Sequence, residues 1–139
     1  MYAHARSLVA GLISAMVFCL LVLLPQSAQA AILVTTTADA GAGSLRDSIA
    51  TANASSGPDI IEFAIGSGTT TIYLTTDLPT STEELVIDGW TQPGWSNFPI
   101  ISIRPTISAT RALGCSAKCT IQGIGGYGNS AHFFQMDAG

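Results

Sequence analysis

Two hydrophobic periods follow one another along the chain. Between Gly41 and Pro58, Leu45, Ile49 and Ala52 recur at i, i+4 and i+7, the spacing of one helix face. Ser44 stands where an N-cap belongs. Asp47 sits three residues on, in a capping-box-like position that also suits the positive end of a helix. This pattern predicts a helix from about Leu45 to Ala54, within a capping segment of about 44–54. The "SSGP" run from Ser55 to Pro58 stops it, because Ser prefers turns and neither Gly nor Pro continues a helix comfortably. From residue 59 the period becomes two. Ile61, Phe63 and Ile65 alternate with Glu62 and Ala64, "TTIYLTT" places Ile72 and Leu74 on one face, and "ELVIDG" does the same with Leu85 and Ile87. Further strand-like runs follow at "PIISIRP", "TISATRAL", "CTIQGIGG" and "AHFFQMD", separated by Gly, Pro and Asn turns.

Many short strands with such turns fit either a sandwich or a stack of repeated strands. The spacings from Phe63 to Leu74, Leu74 to Ile87 and Ile87 to Ile103 are 11, 13 and 16 residues. Turns of unequal length between strands that keep their pattern suit the stack.

The first thirty residues stand apart from this pattern. Arg6 and His4 precede an uncharged run of 17 residues from Leu8 to Leu24, then Pro25 and "SAQA". That is the arrangement of a secretory signal, with cleavage expected between Ala30 and Ala31. The alternative is an uncleaved, membrane-tethering segment, since 17 residues reach the low edge of the roughly 17 to 25 that span a bilayer. The remaining 109 residues suffice for one domain, 31–139. The full chain carries 5 Lys+Arg against 9 Asp+Glu; without Arg6 the balance is 4 against 9, a net charge of −5. Nucleic-acid and anionic-membrane partners call for clustered Lys and Arg and are not expected.

Two blocks of residues carry a resemblance. "GSLRDSIATANASSGPDIIEFAI" and "LVIDGWTQPGW" are similar to the N-terminal module of bacterial right-handed parallel β-helix proteins of the pectin-lyase-like class. In those surface and secreted proteins a CSLREAI-type motif begins a capping helix. Ser44, Leu45, Arg46 and Ile49 match that motif, whereas Gly43, Asp47 and Ser48 replace its Cys, Glu and Ala. The similarity covers roughly residues 33–103, and "CTIQGI" looks like a later rung. The resemblance implies an all-β fold, a right-handed parallel β-helix whose open end the helix covers, with Arg46 and Asp47 in solvent. It also implies a chain truncated at its C-terminus, because family members run on for more rungs and this one stops at "QMDAG".

Candidate chemistry is sparse. Asp77, Glu83, Glu84 and Asp88 are the densest acidic group, but Asp88 in an Asp-Gly corner is expected to bond local backbone. The calcium ligands and basic proton acceptor of polysaccharide lyases of this class do not map onto Arg104, Arg111 or any acidic cluster. Ser44, Ser48 and Ser130 lack a nucleophile elbow, and His132 is the one histidine after the leader. "GGYGNSA" reads as a Gly-rich turn, and "NAS" at Asn53 is a formal glycosylation sequon. No cofactor or metal is expected. Cys115 and Cys119 read either as a disulfide of an exported protein or as two small buried thiols. Trp90 and Trp95, both in the loop "DGWTQPGWSNFP", either pack that loop against the domain or offer a surface for sugar rings or a protein partner.

The expected function is an exported, non-catalytic module, the N-terminal part of an adhesin-like or structural surface protein. The alternative is a fragment of a carbohydrate-active lyase or hydrolase.

Overall fold

A computed structural model describes residues 31–106, 113–126 and 134–136. The leader with Ala30, and the candidates Arg111, Ser130 and His132, lie outside the described residues.

The structure begins with β1 (Ala31–Val34) and helix α1 (Leu45–Ala54). Ser44 caps α1: its Oγ accepts a hydrogen bond from the Asp47 N–H at 3.2 Å. At the far end the Ser55 N–H returns to the Ala52 carbonyl, and Ser55 Oγ also donates to Ala52 O and to the buried Asp59 carboxylate. Leu45, Ile49 and Ala52 form the buried stripe of the helix, joined by Ser48.

Eight more strands follow: β2 (Asp59–Phe63), β3 (Thr70–Leu74), β4 (Leu85–Asp88), β5 (Ile101–Pro105), β6 (Leu113–Cys115), β7 (Cys119–Gln122), β8 (Ile124–Gly126) and β9 (Phe134–Met136). Among the described residues all pairings are parallel. The largest sheet has the order β1-β2-β4-β7, the second β3-β5-β8, and the third only β6-β9. Neighbours in a sheet are therefore never joined by a hairpin. Between β2 and β4 the chain passes through the second sheet at β3, and between β4 and β7 through β5 and β6.

Registers align like residues into inward-facing ladders, buried at their centre and partly buried at Ile121 and Ile124. Ile61 stands beside Ile87, which stands beside Ile121; Ile72 pairs with Ile103, and Ile101 with Ile124. Phe63, Leu74, Leu85 and the helix stripe complete one core. Period-two alternation explains the sorting, since the partners of an inward residue in a parallel register are inward as well. Truncating a fully buried Ile of such a ladder to Ala costs about 2–5 kcal/mol.

The expectation of an all-β, right-handed parallel β-helix is corrected by this topology. The described residues form separate parallel sheets with a helix packed on them, an α/β mixture that does not close into a solenoid. The alternating pattern decides which side of each strand is buried and says nothing about closure. Closure would need a continuous third wall. Here that side holds the two short strands β6 and β9 and one isolated bridge, Ser81 to Cys115, while α1 fills the core near β1 in place of a strand.

Cys115, the last residue of β6, and Cys119, the first of β7, form a disulfide with a Cα separation of 6.2 Å. Both are buried. Their tight loop is also held by Ser116 N–H to Ser81 O and Leu85 N–H to Lys118 O. On loop-closure entropy the bond contributes about 2 kcal/mol.

Candidate functional site

The loop from Asp88 to Phe98 leaves the end of β4 and carries both tryptophans. Its first residues are fixed by local chemistry. Asp88 Oδ1 accepts from the Trp90 N–H at 3.0 Å, capping the single 3₁₀ turn Gly89–Thr91. Thr91 Oγ1 donates to Asp88 O at 2.7 Å and accepts from the Phe63 N–H at 2.8 Å, which ties the turn to the end of β2.

Gln92 then does what no surface-loop glutamine is expected to do. Its side chain is buried, 1% exposed, and meets the chain just past β2. Oε1 accepts from the Ile65 N–H at 2.9 Å, and Nε2 donates to Ile65 O at 2.8 Å and, at 3.5 Å, to Gly68 O. Next to it the Gly68 N–H donates to Pro93 O at 2.9 Å. Gly94 holds φ +89, and a Cβ there would come within 2.9 Å of Gly68 N, so glycine is required on two counts. The Trp95 N–H bonds Gln92 O at 3.1 Å.

On this pinned backbone the two indoles form a pair, centroids 6.1 Å apart and planes at 55°. Trp90 remains 47% exposed and Trp95 41%, with Phe98 more exposed still. One edge of Trp90 rests on Gly123, where a Cβ would approach Trp90 Cδ1 to 2.5 Å. The loop is packed, and over two fifths of each tryptophan remains exposed. Beside it, the outward row of the largest sheet runs Leu33, Glu62, Asp88, Gln122 in register.

The other candidates do not converge on a site. Glu84 pairs with Lys118 at 2.7 Å, and this hydrogen bond and charge hold the exposed Lys118 amine above its ordinary range. Glu83 O accepts from Ser81 Oγ, and Asp77 O from Arg46. Ser44 serves as the helix cap and Ser48 is buried on the helix stripe. Asn53 Nδ2 donates to Thr80 O and its Oδ1 accepts from the Thr82 N–H, so the sequon amide is engaged in holding that loop. Gly125 and Gly126 of the Gly-rich run belong to β8. Among the described residues no three of His, Cys, Asp and Glu group to hold a metal ion.

Arg46 differs from its expected place in solvent. Its guanidinium donates to Asp39 O (3.0 Å), Asp39 Oδ1 (2.8 Å), Thr76 O (3.0 Å) and Asp77 O (2.6 Å), strapping α1 to the segment after β3. Asp39 also accepts from Thr75 Oγ1. Burial raises the Asp39 pKa, but the hydrogen bonds from Thr75 and Arg46 and the guanidinium charge outweigh it and hold the carboxyl below its ordinary 3.8. Neither Arg46 nor Gln92 carries a local signal for tying distant segments together, since the Asp77 carbonyl that meets Arg46 lies 31 residues away and the Ile65 amide that meets Gln92 lies 27 away; only Asp39, seven residues before Arg46, is near in sequence.

No family model, no curated protein and no solved structure matches this chain.

Proposed function

We propose that this chain is an exported, non-catalytic module with an adhesive or structural role, the N-terminal part of a bacterial cell-surface or secreted protein. The observation that carries the reading is the Trp90–Trp95 pair. Two neighbouring indoles stay over two fifths exposed on a loop that Asp88, Thr91 and Gln92 tie down, and aromatic surface presented with little ordering entropy suits recognition. The leader-like first thirty residues and the two family-like blocks support the location. Among the described residues no helix is long and apolar enough to cross a membrane.

Fractionation of a bacterium expressing the full chain tests this reading. A product beginning at Ala31 outside the cytoplasm is expected, and retention of the whole chain in the cytoplasm would overturn it. Release of reducing or unsaturated ends from polysaccharides incubated with the purified protein would equally overturn the non-catalytic assignment.

A further inference from the structure

We infer that the Trp90–Trp95 surface is a stacking platform for a neutral, β-linked hexopyranose chain, an assignment that rests on the exported-module reading above. Three features of the loop lead there. The rings are exposed yet anchored: Trp90 lies against Gly123, and the loop is hydrogen-bonded to Phe63 through the Thr91 hydroxyl, to Ile65 through the Gln92 side chain and to Gly68 through the Pro93 carbonyl. A hexopyranose with equatorial substituents presents axial C–H groups to such faces and needs no induced fit. The 55° angle and 6.1 Å separation let one sugar lie flat on one ring while the next meets the other ring obliquely.

Polar groups flank the platform. Gln122 precedes the Gly123 on which Trp90 rests, and Ser96 and Asn97 are exposed beside Trp95, so donors and acceptors for hydroxyl groups stand on both sides.

The third feature selects among glycans. Glu62 and Asp88 are register partners on the outward row, on strands about 4.8 Å apart, and Asp88 caps the very turn that carries Trp90. No Lys or Arg occurs between Arg46 and Arg104, and the chain carries a net charge of −4. A polyuronate or sulfated chain would meet like charge at the foot of the platform, and a neutral chain meets none.

The protein supplies its own probe. Its two tryptophans are both in this loop, so emission excited selectively in tryptophan, beyond the absorption of the tyrosines, reports this surface. Titration with cellohexaose up to about 1 mM should give a saturable change in emission, and polygalacturonate at low salt should give none. Trp95→Ala should weaken binding at least tenfold, read from the remaining Trp90. Trp90→Ala should do the same, read from Trp95, and circular dichroism should show both variants folded. Absence of any response to cellohexaose, an equal response to polygalacturonate, or undiminished binding in both tryptophan variants would overturn the assignment. An exported chain that ignores cellohexaose would remove the ligand class and leave the module reading standing. Cytoplasmic retention would remove that reading itself.

Discussion

Arg46 and Gln92 each tie a surface segment to a distant part of the chain, and they do so at different depths. Arg46 binds α1 to the segment after β3 through the Thr76 and Asp77 carbonyls and to the loop before the helix through the carbonyl and carboxylate of Asp39, and its side chain stays 21% exposed beside an Asp39 at 23%. Gln92 binds the tryptophan loop to the end of β2 through one N–H and two carbonyls, and is 1% exposed. The difference follows from desolvation. Removing a guanidinium from water is expensive even when it is paired, whereas a neutral amide with its donors and acceptor satisfied can be buried outright. The charged strap therefore responds to pH and salt, and the neutral clasp should not.

Gln92→Leu is the sharpest way to break this comparison. The shape is nearly kept, but the Ile65 N–H and C=O lose their partner in a partly buried place, a loss of about 2–3 kcal/mol in urea unfolding. The loss should be the same at pH 5 and pH 8 and at low and high salt. A cost under about 1 kcal/mol would mean that the clasp is not what holds the loop.

Arg46→Ala should cost somewhat less, about 2 kcal/mol, because water can reach part of what it abandons. Arg46→Lys should recover no more than half of it, since an ammonium cannot reproduce the fork that reaches Asp39, Thr76 and Asp77 together. Complete rescue by Lys would reduce the strap to a charge effect.

Asp39→Asn should cost less than about 1 kcal/mol near neutral pH, as a partly exposed ion pair does. Its signature lies in acid. The folded-state pKa of Asp39 is lowered, so its contribution is fully present above 3.8 and disappears as pH falls from there through the lower folded value. Asp39→Asn should flatten that part of the stability profile, and in an Arg46→Ala background it should change little more.

Trp95→Ala should have the smallest effect on folding, below about 1 kcal/mol, because the ring is exposed and its main partner is another exposed ring. A loss of several kcal/mol would recast the indole pair as packing for the loop and weaken the recognition reading.

Helix α1 was legible because its information is local. Ser44, Asp47, the Leu45, Ile49 and Ala52 stripe, and the Gly57-Pro58 stop lie within fifteen residues. The inward residues of β2, β3 and β4 were legible for the same reason. Asp88 as a cap of its own turn also needed nothing beyond two residues on. The tertiary roles of Arg46 and Gln92 had no such trace, and an arginine on the polar side of a helix reads as solvated until the carbonyls that meet it are known. The resemblance carried the strand reading too far, to a closed solenoid, because local alternation is identical in a closed and an open arrangement of parallel strands.

The sequence by itself determined where α1 starts and stops, which side of β2, β3 and β4 faces the core, and that both tryptophans share one turn-rich loop, since each depends on neighbours a few positions apart. Only the tertiary structure decided how the sheets divide into four, three and two strands, that Cys115 meets Cys119, and that Arg46 and Gln92 are structural ties. These depend on how strands assemble into sheets and on which backbone groups would otherwise be left unpaired, conditions that exist only once distant segments meet.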